Sequence, residues 1–219
     1  GFIRNKGLKE HISRGEERTI IGAVGDERVF RPNELERLPD VERVVRVLND
    51  WKIISREADE EDGRIVVRGV IFGGVKRLDI TADTDRAEEA DAVFVDPFYL
   101  PARPYEKVDE QRENLRVRAI VQEISDLQKT GKPVIVRIRD VRQIDEALSA
   151  GADILYLGGS MMNNRTLLDE VGRLNTPVVL CKDKHHRVDD WLVAAEHIAL
   201  RGNSHIMLGE AGTLSFEPE

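Results

Sequence analysis

The sequence predicts an α/β protein with a parallel sheet in its longer, carboxy-terminal part. Two observations support this prediction: six short apolar runs recur from residue 75 onwards, and helical segments separate them. Buried strands that alternate with helices form either an open doubly wound sheet or a (β/α) barrel. The six runs are VKRLDITAD, DAVFVDPF, KPVIVRI, DILYLGG, TPVVLCK and SHIMLGE.

The segments between these runs have the periodicity of amphipathic helices. Gly151 and Gly202 each follow a predicted helix end, where a residue in the left-handed conformation commonly closes the last turn. Each helix would carry the chain back to begin the next parallel strand. The predicted helices cover residues 108–129, 141–150, 165–173 and 188–201.

The first sixty residues have a different pattern, which indicates a small α+β unit. ERTIIGAVGD is predicted to be a strand, RPNELERL a short helix with Pro32 in its first turn, and VERVVRVLNDWKIISRE a second strand. The preceding FIRNKGLKEHISRG offers at most a helix remnant and the start of a strand, so we expect a split βαβ module that is incomplete at its front. After the charged connector READEEDGR, the segment RIVVRGVIFGGV predicts a hairpin that turns at Gly69 or at Gly73-Gly74.

Composition limits the partners and the compartment. The formal net charge is -8, from 41 acidic and 33 basic residues that are interleaved along the chain, so we expect no nucleic-acid partner. No apolar run is long enough for a membrane span and no signal-peptide pattern occurs, so we expect no membrane association. The single cysteine, Cys181, fits a reducing compartment. The expected localisation is cytoplasmic.

Two groups of side chains invite a catalytic or metal-binding interpretation. His185 and His186 are adjacent, but neighbouring histidines in a loop are expected to point apart and lack the i, i+4 spacing of a helical metal pair. We therefore predict that they are exposed loop residues. Cys181 precedes Lys182, which would lower the thiol pKa, but Asp183 opposes that effect. A buried structural thiol is the expected role.

Several segments carry a resemblance when they are taken in order. They are HISRGEERTIIGAVGDERVF, LPDVERVVRVLNDWKIISRE, YLPARPY, GGSMMNNRTLL, TPVVLCKDK and DDWLVAAEHIALRGNSHIMLGEAGTLSFE. Together they resemble the type I 3-deoxy-D-arabino-heptulosonate 7-phosphate (DAHP) synthases, over roughly residues 11–217. The resemblance implies a (β/α)8 barrel of the TIM type behind a ferredoxin-like regulatory domain. We expect a partial ferredoxin-like domain over residues 1–60 and the barrel over residues 61–219.

The sequence ends shortly after the sixth predicted barrel strand, so we expect an incomplete TIM-type barrel of about six βα units. A bare parallel edge invites aggregation unless another element covers it. The expected partner is a second copy of this chain, in a homo-oligomer, or an active DAHP synthase, in a hetero-complex.

The resemblance also implies a reaction, the metal-dependent condensation of phosphoenolpyruvate with erythrose 4-phosphate. Such an enzyme needs cations for two phosphates and a carboxylate, and a divalent metal that polarises the aldehyde. The family motif K-P-R-T-S-P-Y corresponds here to LPARPY, in which Leu100 replaces the lysine and Ala102 replaces the arginine. Pro101 is retained, and Arg103 could partly substitute from a shifted position.

A second family motif, K-R-G, is changed in charge. The resemblance retains its lysine as Lys182 but replaces the arginine by Asp183 and the glycine by Lys184. A carboxylate in place of a phosphate-binding cation reverses the local field and weakens anion binding.

Other motifs of the resemblance also lose cations. The family's E-R-G keeps Glu210 and Gly212 but has Ala211 in the centre. ITADTD stands where the metal-binding cysteine of A-G-P-C-S is expected, and neither Asp83 nor Thr84 aligns with that cysteine. The resemblance places the family's histidine, glutamate and aspartate metal ligands after the sixth strand, beyond the last residue of this sequence. No cofactor is expected, since the family's divalent metal site is predicted to be lost. The family's G-A-R-N motif corresponds to Gly158, Gly159, Ser160 and Met161, so its arginine is also lost.

Three functional hypotheses follow. The first, which we favour, is a degenerate and non-catalytic DAHP synthase homologue with a structural or regulatory role. The second is an active or altered-substrate transferase that condenses phosphoenolpyruvate with an aldose phosphate, in which Lys182, Glu210 and Arg103 act. The third is a module that binds aromatic amino acid effectors. Remnants of the family's phosphate site would be Lys182, Arg103, Glu210 and Pro101.

Overall fold

The structure is a computed structural model, and it describes residues 2–14, 19–24, 32–44, 51, 53–55, 63–74, 76–99 and 121–212. These residues contain two antiparallel hairpins and one six-stranded parallel sheet. The predicted boundary at residue 60 falls outside the described residues, so the division into two domains at that point stays a prediction.

The front of the chain forms a helical turn and a hairpin. Helix α1 (Phe2–Asn5) leads into strand β1 (Lys9–Arg14), which pairs antiparallel with β2 (Thr19–Val24). The predicted strand at β2 and the predicted helix at α2 (Pro32–Leu35) are both confirmed. Strand β1 is a complete six-residue strand, longer than the strand start that the sequence indicated.

The predicted strand over VERVVRVLNDWKIISRE is wrong for the residues that can be tested. Residues 41–44 and 53–55 have no strand conformation, and residues 45–50 and 52 lie outside the described part of the chain. Valine-rich sequence favours a strand only where a neighbouring strand offers a hydrogen-bonding partner.

A second hairpin covers the amino-terminal end of the large sheet. Strands β3 (Ile65–Val67) and β4 (Val70–Phe72) turn at Arg68 and Gly69, with φ angles of 48° and 79°. Two successive positive φ angles are the signature of the tight turn that suits the twist of a hairpin. Phe72 packs against the first residues of the sheet strands, so the hairpin covers this end of the described sheet.

The large sheet has a sequential order that decides its type. Every strand is parallel to its neighbour and pairs with the strand next along the chain, in the order β10-β9-β8-β7-β6-β5. A doubly wound sheet would reverse this order part-way, whereas a TIM-type barrel would not. All six predicted strands are confirmed, at Ile80–Thr81 (β5), Ala92–Val95 (β6), Val134–Ile138 (β7), Ile154–Leu157 (β8), Val178–Lys182 (β9) and Ile206–Glu210 (β10).

The predicted helices connect these strands. Gly151 adopts the predicted left-handed conformation as a helix cap, with φ at 100°, and Gly202 has φ at 119°. Among the described residues, no helix combines the length and the apolar character needed to cross a membrane. The helices are α3 (121–128, the described part of the predicted 108–129), α4 (Arg142–Ala150), α5 (Arg165–Val171) and α6 (Val188–Ala199).

The strands bury both faces, and alternation assigns each residue to one of them. Val136 and Leu180 belong to the cluster that packs under the helices. Ile135, Ile154 and Tyr156 belong to a second cluster, on the inner face, which the β3–β4 hairpin closes at one end. Because successive strand residues point to opposite faces, the last residues of each strand continue these two rows.

Candidate functional site

Ionisable and polar side chains gather on the inner face where the parallel strands end. Each continues the row of a residue in the inner cluster: Asp96 follows Phe94, Arg137 and Arg139 follow Ile135, and Cys181 follows Val179. The carboxyl ends of parallel strands are where TIM-type barrels place their active sites. We call the following residues the inner-face cluster: Asp96, Arg137, Arg139, Tyr156, Cys181 and Asp183.

Asp96 forms the central ion pair of this cluster. Both terminal nitrogens of Arg139 donate to its carboxylate, at 2.5 Å each, in the bidentate geometry of a strong Arg–carboxylate pair. Nη1 of Arg137 lies 3.7 Å from the same carboxylate. The hydrogen bond to Asp96 raises the pKa of Arg139 above its ordinary value. Two arginines therefore share one carboxylate.

Arg137 is packed between strands. Its guanidinium lies 5.7 Å from the ring centroid of Tyr156, within the range of a cation–π contact. A Cβ atom on Gly158 would come within 2.7 Å of Nη2, so the absence of a side chain at Gly158 makes room for the guanidinium. Within the described part of the chain, its buried Nε atom has no hydrogen-bond partner.

Tyr156 and Cys181 lie beside each other on this face. Burial raises the pKa of Tyr156 to about 12, and a hydrogen bond with Cys181 adds to the effect. Cys181 is buried, and its Sγ atom donates to the Lys182 carbonyl at 3.5 Å. The prediction of a buried thiol is confirmed.

Lys182 points away from the inner face. It continues the row of Val178 and Leu180, which pack under the helices, and only 1% of its surface is exposed. Its Nζ atom lies 3.2 Å from Oε1 of Glu210 and donates to the Gly212 carbonyl at 3.2 Å. The inner-face position at the end of β9 therefore holds a thiol instead of an ammonium group.

Asp183 directly follows β9 and adds a negative charge to the inner-face cluster. Its charge acts on Tyr156, where it helps to raise the pKa of the phenol. One carboxylate oxygen accepts a hydrogen bond from the Lys184 backbone at 2.8 Å. A Cβ atom on Gly159 would come within 2.3 Å of the Asp183 backbone nitrogen, so the ends of β8 and β9 are tightly apposed.

The adjacent histidines differ from the prediction. The rings of His185 and His186 do not point apart; their centroids are 4.3 Å apart and the rings are tilted by 34°. His185 is exposed as predicted, whereas His186 is half-buried beside Asn163. The described residues contain no group of three or more histidine, cysteine or acidic side chains that could hold a metal ion.

The end of β5 does not match the donor set that the family resemblance implies for a divalent metal. Oδ1 of Asp83 accepts from the Asp85 backbone at 3.1 Å, and Oγ1 of Thr81 accepts from the Asp83 backbone at 3.1 Å. The Asp83 carboxylate caps the short helical turn Thr84–Arg86, and the Thr81 hydroxyl holds the residue that precedes it. A site built around a cysteine does not fit this segment, and the remaining ligands implied by the resemblance lie beyond the described residues.

A cavity of about 240 Å³ opens beside Asp96. Among the described residues its two ionisable lining side chains, Asp96 and Glu123, are both acidic, so this part of the lining offers no cation to a phosphate. The complete lining is Ala82, Phe94, Val95, Asp96, Pro97 and Glu123.

Two of the four predicted site residues are described by the structure, and two are not. Lys182 and Glu210 are brought together, while Pro101 and Arg103 lie outside the described residues. The sequence interpretation missed Arg137 and Arg139. The alternation in VIVRIRD could have revealed them, because it places both arginines on one face at a strand end.

Comparison with known families resolves the identity of the fold. Residues 2–49 match the DAHP synthase ferredoxin-like domain, and residues 109–219 match the DAHP synthetase I family. The chain belongs to the DAHP synthetase I family. The six parallel strands are accordingly part of a TIM-type barrel, and a ferredoxin-like domain precedes it, as the resemblance implied.

A related protein and a solved structure agree with this assignment. The chain is 32% identical to a phospho-2-dehydro-3-deoxyheptonate aldolase from Thermotoga maritima, over 96% of this chain and 64% of that protein. The chain thus spans slightly less than two thirds of that relative. The crystal structure of a DAHP synthase from the same organism aligns with a TM-score of 0.65 and 27% identity, over 99% of this chain and 66% of that chain.

A more distant structure shares the fold alone. An N-acetylneuraminic acid synthetase from Leptospira borgpetersenii aligns with a TM-score of 0.52 and 16% identity, over 72% of this chain and 62% of that chain.

Proposed function

We propose that this DAHP synthase family member is non-catalytic and serves as a structural or regulatory protein of aromatic amino acid biosynthesis. It would act by associating with itself or with an active DAHP synthase. One observation carries the proposal: at the end of β9 the inner face presents Cys181 and then Asp183, while the ammonium of Lys182 is held by Glu210.

The charges of the inner-face cluster support this proposal. Arg137 and Arg139 contribute two positive charges, and Asp96 and Asp183 contribute two negative charges, so the cluster has a formal net charge of zero. Phosphoenolpyruvate carries a phosphate and a carboxylate, and binding it requires an excess of cations. The arginines are already engaged with Asp96.

The size of the electrostatic effect is sufficient to matter. A unit charge 4 Å from another contributes about 4 kcal/mol near a protein surface, and a carboxylate in place of a cation reverses the sign of that interaction. Asp183 therefore opposes an anionic ligand at the position where the family resemblance implies an arginine. This loss is larger than the contribution of one ordinary hydrogen bond, which is about 1 kcal/mol.

Calorimetric titration with phosphoenolpyruvate tests the binding part of the proposal. We expect no saturable heat, since the inner-face cluster is neutral. Saturable binding that weakens when Arg137 is changed to Ala would overturn the proposal, because it would show that the arginine is available to an anion.

Association is the second part of the proposal, and the retained fold supports it. The chain aligns over nearly its whole length with a DAHP synthase although the inner-face cluster is neutral. In the described sheet, Ile80 on edge strand β5 and Leu208 on edge strand β10 are 47% and 46% exposed. Such edges are sites of pairing with other chains. Native mass spectrometry of the protein recovered from its own cells should show a homo-oligomer or a stoichiometric complex with a synthase; a monomer alone would contradict this part.

A second candidate, an altered-substrate transferase, is favoured by the position of the Lys182–Glu210 pair at the ends of β9 and β10. Glu210, whose side chain is 50% exposed, would act in proton transfer on a substrate that enters from the strand ends, while Lys182 holds its carboxylate. Metal-dependent turnover that falls when Lys182 is changed to Met, which keeps the aliphatic volume, would support this candidate, and unchanged turnover in Lys182→Met or Lys182→Ala would remove it.

The effector-binding hypothesis concerns residues 2–49, which match the ferredoxin-like domain. Tyrosine or phenylalanine should raise the melting temperature if this domain binds an aromatic amino acid. An unchanged melting temperature at saturating concentrations would remove the hypothesis.

A further inference from the structure

The segment that follows the ferredoxin-like domain is hydrogen-bonded to the carboxylate of Glu196, on helix α6 of the barrel. The backbone N–H of Ile53 donates to both oxygens of Glu196, at 3.0 and 2.9 Å, and that of Ile54 donates to Oε2 at 3.2 Å. We call residues 53–55 the connector. These contacts join positions that are 143 and 142 residues apart in the sequence.

The carboxylate that accepts these hydrogen bonds is buried. Glu196 is only 5% exposed, and it lies among the buried residues of helix α6. A buried carboxylate needs donors in place of the water it has lost, and within the described residues Glu196 receives hydrogen bonds from these two backbone amides. Ile54 packs against the hydrophobic cluster under the helices, and Ser55 is 9% exposed. The connector is therefore held by packing as well as by hydrogen bonds.

Helix α6 also contacts the strand that carries Lys182. The indole Nε1 of Trp191 donates to the Leu180 carbonyl at 2.9 Å, which fixes the first part of the helix on β9. The helix then leads into β10, which carries Glu210. The connector is therefore attached to the one helix that lies between the two strands of the Lys182–Glu210 pair.

We infer that the Glu196 carboxylate forms an intramolecular docking site for the connector backbone. The site fixes the point at which the ferredoxin-like domain, residues 2–49, is joined to the barrel. A carboxylate suits this role because two successive N–H groups present positive partial charge to it. The inference goes beyond the proposed function and holds whether or not the inner-face cluster binds phosphoenolpyruvate.

Hydrogen exchange measured by mass spectrometry on the full chain tests this docking site. In the unmodified protein the amides of Ile53 and Ile54 should be protected. Glu196→Ala should speed their exchange about ten-fold or more, while the amides of β8 keep their rates, because the opening is local. Glu170→Ala is the matched control: Glu170 lies on the neighbouring helix α5, pairs with Arg173 and has a side chain that is 37% exposed. It should leave the connector unchanged.

A second variant keeps the test decisive if removal of Glu196 unfolds the barrel. Ile53→Pro removes the amide that donates twice and changes no residue of the sheet or its helices. It should speed exchange at Ile54 and expose the chain to trypsin after Arg56, which follows the connector in sequence. Fast exchange of both amides in the unmodified protein, or unchanged exchange in both variants, would overturn the inference.

Discussion

The Nζ atom of Lys182 lies 3.2 Å from Oε1 of Glu210, and the two residues are directly opposite in the register of β9 and β10. The lysine side chain is 2% exposed and the glutamate side chain is 50% exposed, so the cation is inside the molecule and its partner is at the rim. Because the ammonium also donates to the Gly212 carbonyl, it joins the ends of both strands to the chain that follows. We expect these contacts of Lys182 to contribute to the stability of the fold.

Lys182→Ala should therefore destabilise the protein. Removal of a fully buried long side chain leaves a cavity, and we expect a loss of about 2–4 kcal/mol in the free energy of unfolding. Lys182→Met retains the aliphatic volume and should lose less, about 1–2 kcal/mol. Urea unfolding measures both variants. Lys129→Ala is the control, because that side chain is 73% exposed; an equal loss in Lys129→Ala and Lys182→Ala would contradict the structural role.

Asp183→Arg should create affinity for phosphoenolpyruvate. The change adds two units of positive charge to a neutral inner-face cluster, and we expect saturable binding to appear where the unmodified protein shows none. Isothermal titration calorimetry measures the affinity. Asp189→Arg makes the same change of charge on a side chain that is 56% exposed and pairs with Arg187. If both variants gained equally, overall charge and not the cluster would be responsible.

Asp96→Asn should destabilise the fold through the two arginines that share this carboxylate. The amide cannot accept both hydrogen bonds of Arg139, and we expect a loss of about 1–3 kcal/mol in the free energy of unfolding. Thermal and urea unfolding give this value. The control is Asp126→Asn, whose carboxylate pairs with Lys129 on an exposed helical surface. The prediction fails if the two substitutions cost the same.

Tyr156 should titrate well above an ordinary tyrosine. Burial raises its pKa to about 12 in the folded protein, from an unfolded value near 10. A raised folded pKa means that the neutral phenol is favoured by folding. Its contribution to stability is therefore complete below about pH 10 and is lost as the pH rises towards about 12.

Ultraviolet absorbance of tyrosinate during an alkaline titration measures this pKa. In Tyr156→Phe the highest of the tyrosine transitions should disappear, and unfolding free energy should depend less steeply on pH in the alkaline window. Cys181→Ser serves as a comparison, because burial persists while the thiol contact changes. Ordinary titration of every tyrosine in the unmodified protein would contradict the packing described for Tyr156.

The sheet could be predicted from sequence because its information is local. Short apolar runs between amphipathic helices specify buried parallel strands, and the glycine after each helix marks the turn. The hairpin at Gly69 was predictable for the same reason, since a tight turn requires positive φ angles that glycine accepts.

The inner-face cluster could be predicted only in part. Alternation could place Arg137 and Arg139 on one face, but their shared partner Asp96 lies on another strand, so the pairing depends on register. The orientation of Lys182 has a similar origin. The resemblance aligned it with a phosphate-binding lysine, whereas the strand register turns it towards Glu210 and leaves Cys181 on the inner face.

The connector could not be predicted at all. A carboxylate on α6 meets backbone amides more than one hundred residues away, and no local pattern encodes such a contact. The valine-rich segment before the connector favoured a strand, yet residues 41–44 form none. Strand propensity reflects packing against neighbours, and the sequence does not state which neighbours are present.

The most direct test of the non-catalytic proposal is a condensation assay. Purified protein is incubated with phosphoenolpyruvate, erythrose 4-phosphate and a series of divalent metals, and phosphoenolpyruvate consumption is followed beside an active DAHP synthase. We predict consumption no faster than in the protein-free blank, at every metal concentration. Metal-dependent consumption above the blank would contradict the proposal and establish this protein as an active transferase.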